Sequence, residues 1–316
     1  MKLKELYRLA VEMGIAADPR GKEAVADCLA KKQKEYKKLK EEDQEFFDPE
    51  SLTNPYADTR ILLGEEDREV KTILAGIDIE AGEVAVAQAL NTQGAKIDLL
   101  LSHHPEGAAL AALPEVMHLQ TGYMAQYGML PNVAEAIMSE RIGEVSRSIG
   151  VSNHFRAVDA ARLFGFAFLC VHTPADNLVT QLLYENIEQE QPQTLEALVN
   201  VIRKIPEYHT ASKNYIKTLI ASGSPDRSVG KVYVDFTGGT TGPKDAYAML
   251  AERGVSTVIA MYASEKMIEA AKEKHLNLVI AGHMASDSIG LNRFLDKIEA
   301  RGVAIIPTSG LIRVKR

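Results

Sequence analysis

The sequence predicts an α/β protein with two α/β domains whose sheets are mainly parallel or mixed. The first domain is expected to be built from both chain ends and the second to be inserted, with a helical extension at the N-terminus. Two observations carry this prediction. From about residue 70 onward, short runs of leucine and β-branched residues alternate with helical stretches of ten or more residues, which is the pattern of βαβ units. The 316 residues, 46% hydrophobic and 25% charged, suit one large or two ordinary domains and supply ample apolar material for their cores.

The elements follow in order. Residues 2–14 carry Leu3, Leu6, Tyr7, Leu9, Ala10 and Met13 near helical spacing. Residues 22–47 continue as helix, with a lysine block followed by an acidic block. Their charges nearly cancel, which suits a solvated helix better than a binding arm. Asp48-Pro49 and Asn54-Pro55 mark a loop. Strands are then expected at 70–78, 97–103, 166–172, 215–222, 231–236, 256–262, 276–283 and 303–308. Helices are expected at 80–94, across most of 108–165, and at 176–189, 195–205, 244–254, 264–275 and 291–302. There is no short-period repeat and no low-complexity segment.

Composition excludes several classes. The chain has 36 basic and 43 acidic residues, a net charge of −7. It lacks the basic excess of a protein that lives on nucleic acid or anionic membrane. Two cysteines, Cys28 and Cys170, provide no disulfide framework. The apolar runs fall far short of the roughly 20 residues that span a bilayer, and the N-terminus lacks an apolar signal core. A cytoplasmic protein is expected. Cys-x-x-Cys, Gly-x-Ser-x-Gly and Gly-x-Gly-x-x-Gly patterns are missing, so redox, serine-hydrolase and dinucleotide readings lose support. Gly238-Gly239-Thr240-Thr241-Gly242-Pro243-Lys244 follows a strand and opens a helix, either as a tight turn or as an anion cradle. It is no Walker loop, because Pro243 stands where lysine is needed.

The histidines are the most informative residues. Of eight, four stand just past apolar strands: His103 and His104 after IDLLLS, His172 after FAFLCV, and His283 after LNLVIAG. The carboxyl ends of strands are where open α/β sheets bind ligands. Two of these histidines have an aspartate four residues on, as His172/Asp176 and His283/Asp287. At that spacing on a helical turn both side chains point one way. Imidazole with carboxylate is a ligand set for zinc, iron or manganese. Adjacent side chains diverge, so His103 and His104 favour two ions, or one ligand and one supporting residue. Asp78, at the end of the first strand, either orients a ligand imidazole or caps the next helix.

Three segments, LLLSHHP (99–105), VHTPAD (171–176) and AGHMASD (281–287), resemble the signature segments of the Nif-three-like family, whose members are also called GTP cyclohydrolase I type 2 homologues. Residues 62–78 and 237–255 resemble the family's approach to its first strand and its glycine-rich entry to the middle domain. The resemblance covers about 55–316. It implies that His103 and His104 each bind one of two divalent metal ions. Asp176 would bridge or bind beside them, and His283 and Asp287 would complete the site. His172 would lie close by, as an orienter or an extra ligand. Four departures stand out. The family usually has glutamate where this chain has Asp287. Aspartate reaches less far by about 1.5 Å, which argues against a bridging Asp287. NLVTQLL (177–183) replaces a glycine-rich stretch, and MYASEKM (261–267) lacks the family's histidine. The stretch 106–165 is longer than the family's connection, and reads as added core and interface or as a lid over the metals.

Because ligands come from both chain ends, the expected division is a helical extension at 1–54, a metal-binding domain at 55–189 with 276–316, and an inserted domain at 190–275. Two divalent ions with two aspartates leave a positive cleft, which would attract an anionic small molecule. Such ions acidify water and clamp an oxyanion, so hydrolysis is the simplest chemistry. The expected function is a metal-dependent hydrolase of a phosphorylated or nucleotide-like small molecule, GTP cyclohydrolase-like by resemblance. The alternative is a non-catalytic metal-binding regulatory or scaffold protein. The resemblance also implies a homohexamer.

Overall fold

The computed structural model describes residues 1–316. Helices α1 (Leu3–Ala17), α2 (Lys22–Tyr36) and α3 (Glu41–Gln44) open the chain. Strands β1 (Arg60–Leu63) and β2 (Thr72–Gly76), helix α4 (Ala81–Thr92) and strand β3 (Leu99–Ser102) follow. The long stretch after β3 folds as α5 (Gly107–Ala111), α6 (Leu113–Val116), α7 (His118–Gln126), α8 (Pro131–Ile149) and α9 (Arg156–Phe164). Then come β4 (Ala167–Cys170), α10 (Thr173–Glu190), α11 (Leu195–Lys204), α12 (Pro206–Lys213), β5 (Leu219–Ser222) and β6 (Lys231–Asp235). The chain finishes with α13 (Asp245–Glu252), β7 (Val255–Ala260), α14 (Glu265–Glu273), β8 (Asn277–Ile280), α15 (His283–Glu299) and β9 (Ala304–Thr308). No helix is long and apolar enough to cross a membrane.

Two mixed sheets result, one ordered β1-β4-β3-β2-β9 and the other β5-β8-β7-β6. In each, a short antiparallel edge strand flanks a parallel set. The α/β class expected from alternation is therefore the class observed. Three expectations are corrected. β1 was not anticipated: Ile61-Leu62-Leu63 is too short an apolar run to announce a strand, and its pairing with β4 is tertiary. Helix α1 is no peripheral extension, because Leu3, Leu6 and Ala10 are buried in the core of the first sheet. The expected boundary at 276 does not match the sheets, since β8 pairs with β7 in the second one and only β9 returns to the first.

Both faces of each sheet are covered, as parallel strands require. Alternate residues separate the faces: Leu99 and Leu101 join the cluster containing α1 and α15, whereas Leu100 joins Val84 and Ala161 of α4 and α9. Helices α10 and α15 lie between the sheets, giving Leu178 and Phe294 to the first core and Val179 and Ile289 to the second. Of the long stretch, α6–α8 cover the far side of the second sheet with Met117, Tyr123, Met124 and Met138, whereas α5 and α9 pack on the first. The stretch's tyrosines also close the outer edge of β6. Tyr127 and Tyr123 donate to the carbonyls of Val232 and Val234, each at 3.1 Å, and the Val234 amide donates to the Tyr184 hydroxyl at 2.9 Å.

The halves repeat one plan. The order β1-β4-β3-β2 matches β5-β8-β7-β6 in sequence and in polarity. Gly64-Glu-Glu-Asp-Arg-Glu-Val70 recurs as Gly223-Ser-Pro-Asp-Arg-Ser-Val229. Both glycines adopt positive φ, 110° and 108°, which disfavours any other residue. The backbone contacts repeat as well: Leu3 N donates to Arg68 O and Leu195 N to Arg227 O, both at 2.9 Å. The period is long and the first copy carries the α5–α9 insertion, so no short-period signal exists.

Candidate metal centre

The carboxyl ends of β3 and β4 in the first sheet and of β8 in the second meet above the N-termini of α10 and α15. The imidazoles thus converge from two sheets, where a single sheet edge had been expected. Gly282, at φ 118°, makes the sharp turn from β8 into α15 and sets His283 at the first helical position. On α10 and α15 the i,i+4 spacing places His172 with Asp176 and His283 with Asp287 on one face.

The donor atoms form two overlapping groups. In one, His103 Nε2 lies 3.4 Å from Asp176 Oδ1 and 3.5 Å from Asp287 Oδ1. In the other, His104 Nε2 and His283 Nε2 each lie 3.5 Å from Asp287 Oδ2. Asp287 therefore offers one oxygen to each group, short as its side chain is. Asp78, one of the two readings left open, orients an imidazole: its Oδ1 accepts from His104 Nδ1 at 2.7 Å. Glu80, not Asp78, caps α4. His103 Nδ1 faces the Val171 carbonyl at 3.2 Å. Both contacts leave Nε2 as the free lone pair.

His172 stands beside these groups, its ring 4.8 Å from that of His103 and its Nε2 3.9 Å from Asp176 Oδ2. Its Nδ1 bonds Asp58 Oδ2 at 2.8 Å, and Thr173 Oγ1 donates to the same oxygen at 2.6 Å. Asp58 is fully buried and was not foreseen, for it sits outside any motif and far along the chain from its partner.

The centre fits a cation. His103 Nε2, Asp176 Oδ1 and both oxygens of Asp287 are buried without a hydrogen-bond partner. Leaving such groups unsatisfied is costly. Two donors about 2.1 Å from one ion at the tetrahedral angle stand about 3.4 Å apart, and the separations above have that size. His103, His104 and His172, then His104, His283 and Asp287, then His103, Asp176 and Asp287 each form a set that can hold a metal ion.

Protonation follows the same strain. Burial pushes His103 down to about 4, so its ring is neutral. Burial also opposes charge on His104, but the nearby Asp287 carboxylate and the hydrogen bond to Asp78 outweigh it and raise the ring to about 9. Burial opposes ionisation of Asp287 as well, yet His103, His104 and His283 hold it below the usual carboxylate range. Burial and the charges of Asp287 and Asp58 push Asp176 well above that range. Burial lowers His283.

A narrow cleft of about 40 Å³ opens from the centre, lined by His172, Asp176, His283 and Asp287 on one side and by Asp235, Thr240 and Tyr262 on the other. Burial raises the Asp235 carboxyl to about 6, and Tyr247 donates to it at 2.8 Å. Tyr262, within the segment that lacks the family's histidine, packs its ring 4.9 Å from His283. The glycine-rich loop is a tight turn: Gln120 Nε2 donates to Gly238 O at 2.9 Å, and Arg141 Nε to Thr241 O at 3.1 Å. As core, the insertion meets its first reading through α6–α8, and residues of α5, α6 and α8 also line the opening beside the centre.

No family profile and no curated protein matches the chain by sequence. Among solved structures, a NIF3 superfamily protein from Sphaerobacter thermophilus is similar at a TM-score of 0.76 and 23% identity, covering 98% of this chain and 99% of that one. Reduced HcgD from Methanocaldococcus jannaschii is similar at a TM-score of 0.54 and 15% identity, covering 84% and 94%. The resemblance first seen in three short histidine-bearing segments therefore extends to the architecture, and the chain has the fold of NIF3 superfamily proteins.

Proposed function

We propose that this protein is a metal-dependent hydrolase that uses a pair of divalent ions on a phosphorylated or nucleotide-like small molecule. The observation that carries this reading is the set of buried, unpartnered donors: His103 Nε2, Asp176 Oδ1 and both oxygens of Asp287. His103, Asp176 and Asp287 would hold one ion, and His104, His283 and Asp287 the other. Zinc, iron and manganese all suit these ligands. When bound, such a pair supplies Lewis acidity and activates water for attack. The protein's own part is to orient and to exclude. Val171 O and Asp78 fix the tautomers of His103 and His104. Asp58 holds His172 with Nε2 toward Asp176, where it can carry a proton beside the reacting group. Asp235 and Tyr262 face the centre from the second sheet and position the substrate. The same reading makes the protein a cytoplasmic homo-oligomer, hexameric by the sequence resemblance.

Metal analysis of purified protein tests the centre. Two equivalents per chain are expected. Asp287→Asn should lose both, because each ion shares that carboxylate, and His283→Ala should keep one. Turnover against a panel of nucleotides and phosphoesters, with His103→Ala as control, tests the chemistry. Metal-loaded protein inert across the panel would refute the hydrolase reading and leave a metal-binding scaffold.

A further inference from the structure

The wall facing the centre across its outer opening is built by the insertion, and Leu110, Leu113, Val145 and Ile149 form an apolar strip on it beside Arg141, Glu144 and Ser148. An open groove of about 410 Å³ is lined by His104, His172 and His283 on one side and by Leu110, Leu113, Val145 and Ile149 on the other, with Tyr262 between them. That volume lies in the range of small-molecule sites. Val145 and Ile149 are four residues apart on α8, so they present one face. Leu113 and Val145 are buried, whereas Leu110 and Ile149 remain half-exposed on the cavity side. Aliphatic surface beside a wet polar centre costs free energy that an apolar ligand group would recover. Arg141 is the one permanently charged cation in this lining, but it is committed: Nε serves Thr241 O, and Nη1 serves Glu144 at 3.0 Å. The anion of a ligand is therefore left to the histidine wall.

We propose that the substrate is an amphiphilic anion, with its anionic centre at the His/Asp wall and an aryl or short alkyl group between Tyr262 and the Leu110–Leu113–Val145–Ile149 face. The proposal rests on the hydrolase reading for the place of the anion and adds the apolar half. Tyr262 suits an aryl group, because its ring is 41% exposed and held in place by His283 and by the Thr240 hydroxyl at 3.3 Å.

Titration calorimetry of zinc-loaded protein with methylphosphonate, phenylphosphonate and ribose 5-phosphate tests it without turnover. Phenylphosphonate should bind at least tenfold tighter than the other two. Ile149→Asp should bring it down to the level of methylphosphonate, whereas Leu163→Asp, on a surface residue outside the cleft, should keep the preference. If Ile149→Asp fails to fold, Leu110→Gln serves the same purpose. Equal affinities, or a preference for ribose 5-phosphate, would overturn the proposal. Ring-dependent binding without hydrolysis of phenyl phosphate would sink only the hydrolase reading. Absence of binding by all three probes would overturn both.

Discussion

His104 holds a proton near neutrality because Asp287 and Asp78 beside it outweigh the effect of burial. A cation must displace that proton to bind. The sign follows: His104 keeps its proton up to about pH 9, so metal affinity rises with pH below that point and levels above it. Calorimetric zinc titrations at pH 6.5, 7.5 and 8.5, in buffers of differing ionisation heat, should show an affinity that climbs with pH and the release of about one proton at pH 7.5. An affinity flat with pH would contradict this account. The ligands themselves were legible because each ends an apolar run or sits one helical turn beyond it. Asp58 was not, since nothing local distinguishes it from a surface aspartate. The double service of Asp287 was also hidden, because reach depends on where α15 is seated and not on side-chain length alone.

Among the elements, the crossing of α10 and α15 decides whether the two aspartates meet. The helices touch at Gly290, where an added Cβ would lie 2.1 Å from the Ala175 carbonyl. Backbone cannot yield as a flexible side chain can, so Gly290→Ala should push the helices apart. A loss of about 3 kcal/mol is expected in urea unfolding, together with weaker zinc binding, since Asp176 and Asp287 move with their helices. Unchanged zinc affinity in the folded variant would show that the crossing does not set the site. Runs such as LLLS and AFLC announced buried strands because both of their faces are covered. Helix α12 was missed, as its mostly polar eight residues begin with Pro206 and show little periodicity. The placement of β8 was missed for a different reason: a strand's own sequence does not say which sheet it joins.

Across the whole molecule, two copies of one plan are held together by a chain that returns. After α15 the chain rejoins the first sheet as β9, and the residues beyond it bind the second half. Arg316 clasps Glu207 of α12 at 2.7 and 2.6 Å, and Asn292 donates to the same carboxylate at 2.8 Å. Glu207 is fully buried. Arg316→Ala would leave that charge unpaired and should cost about 3 kcal/mol, measured as a lower Tm. Arg316→Ala combined with Glu207→Gln should recover most of the loss; an additive double variant would mean that the pair is not coupled. The tyrosines along β6 have a different reach. With its outer carbonyls and an amide already occupied, that flank gives a neighbouring molecule's strand nothing to zip onto, so fibril-like stacking is blocked there. The opposite flank, where β5 shows Leu219 to solvent, is left to guard itself by brevity alone.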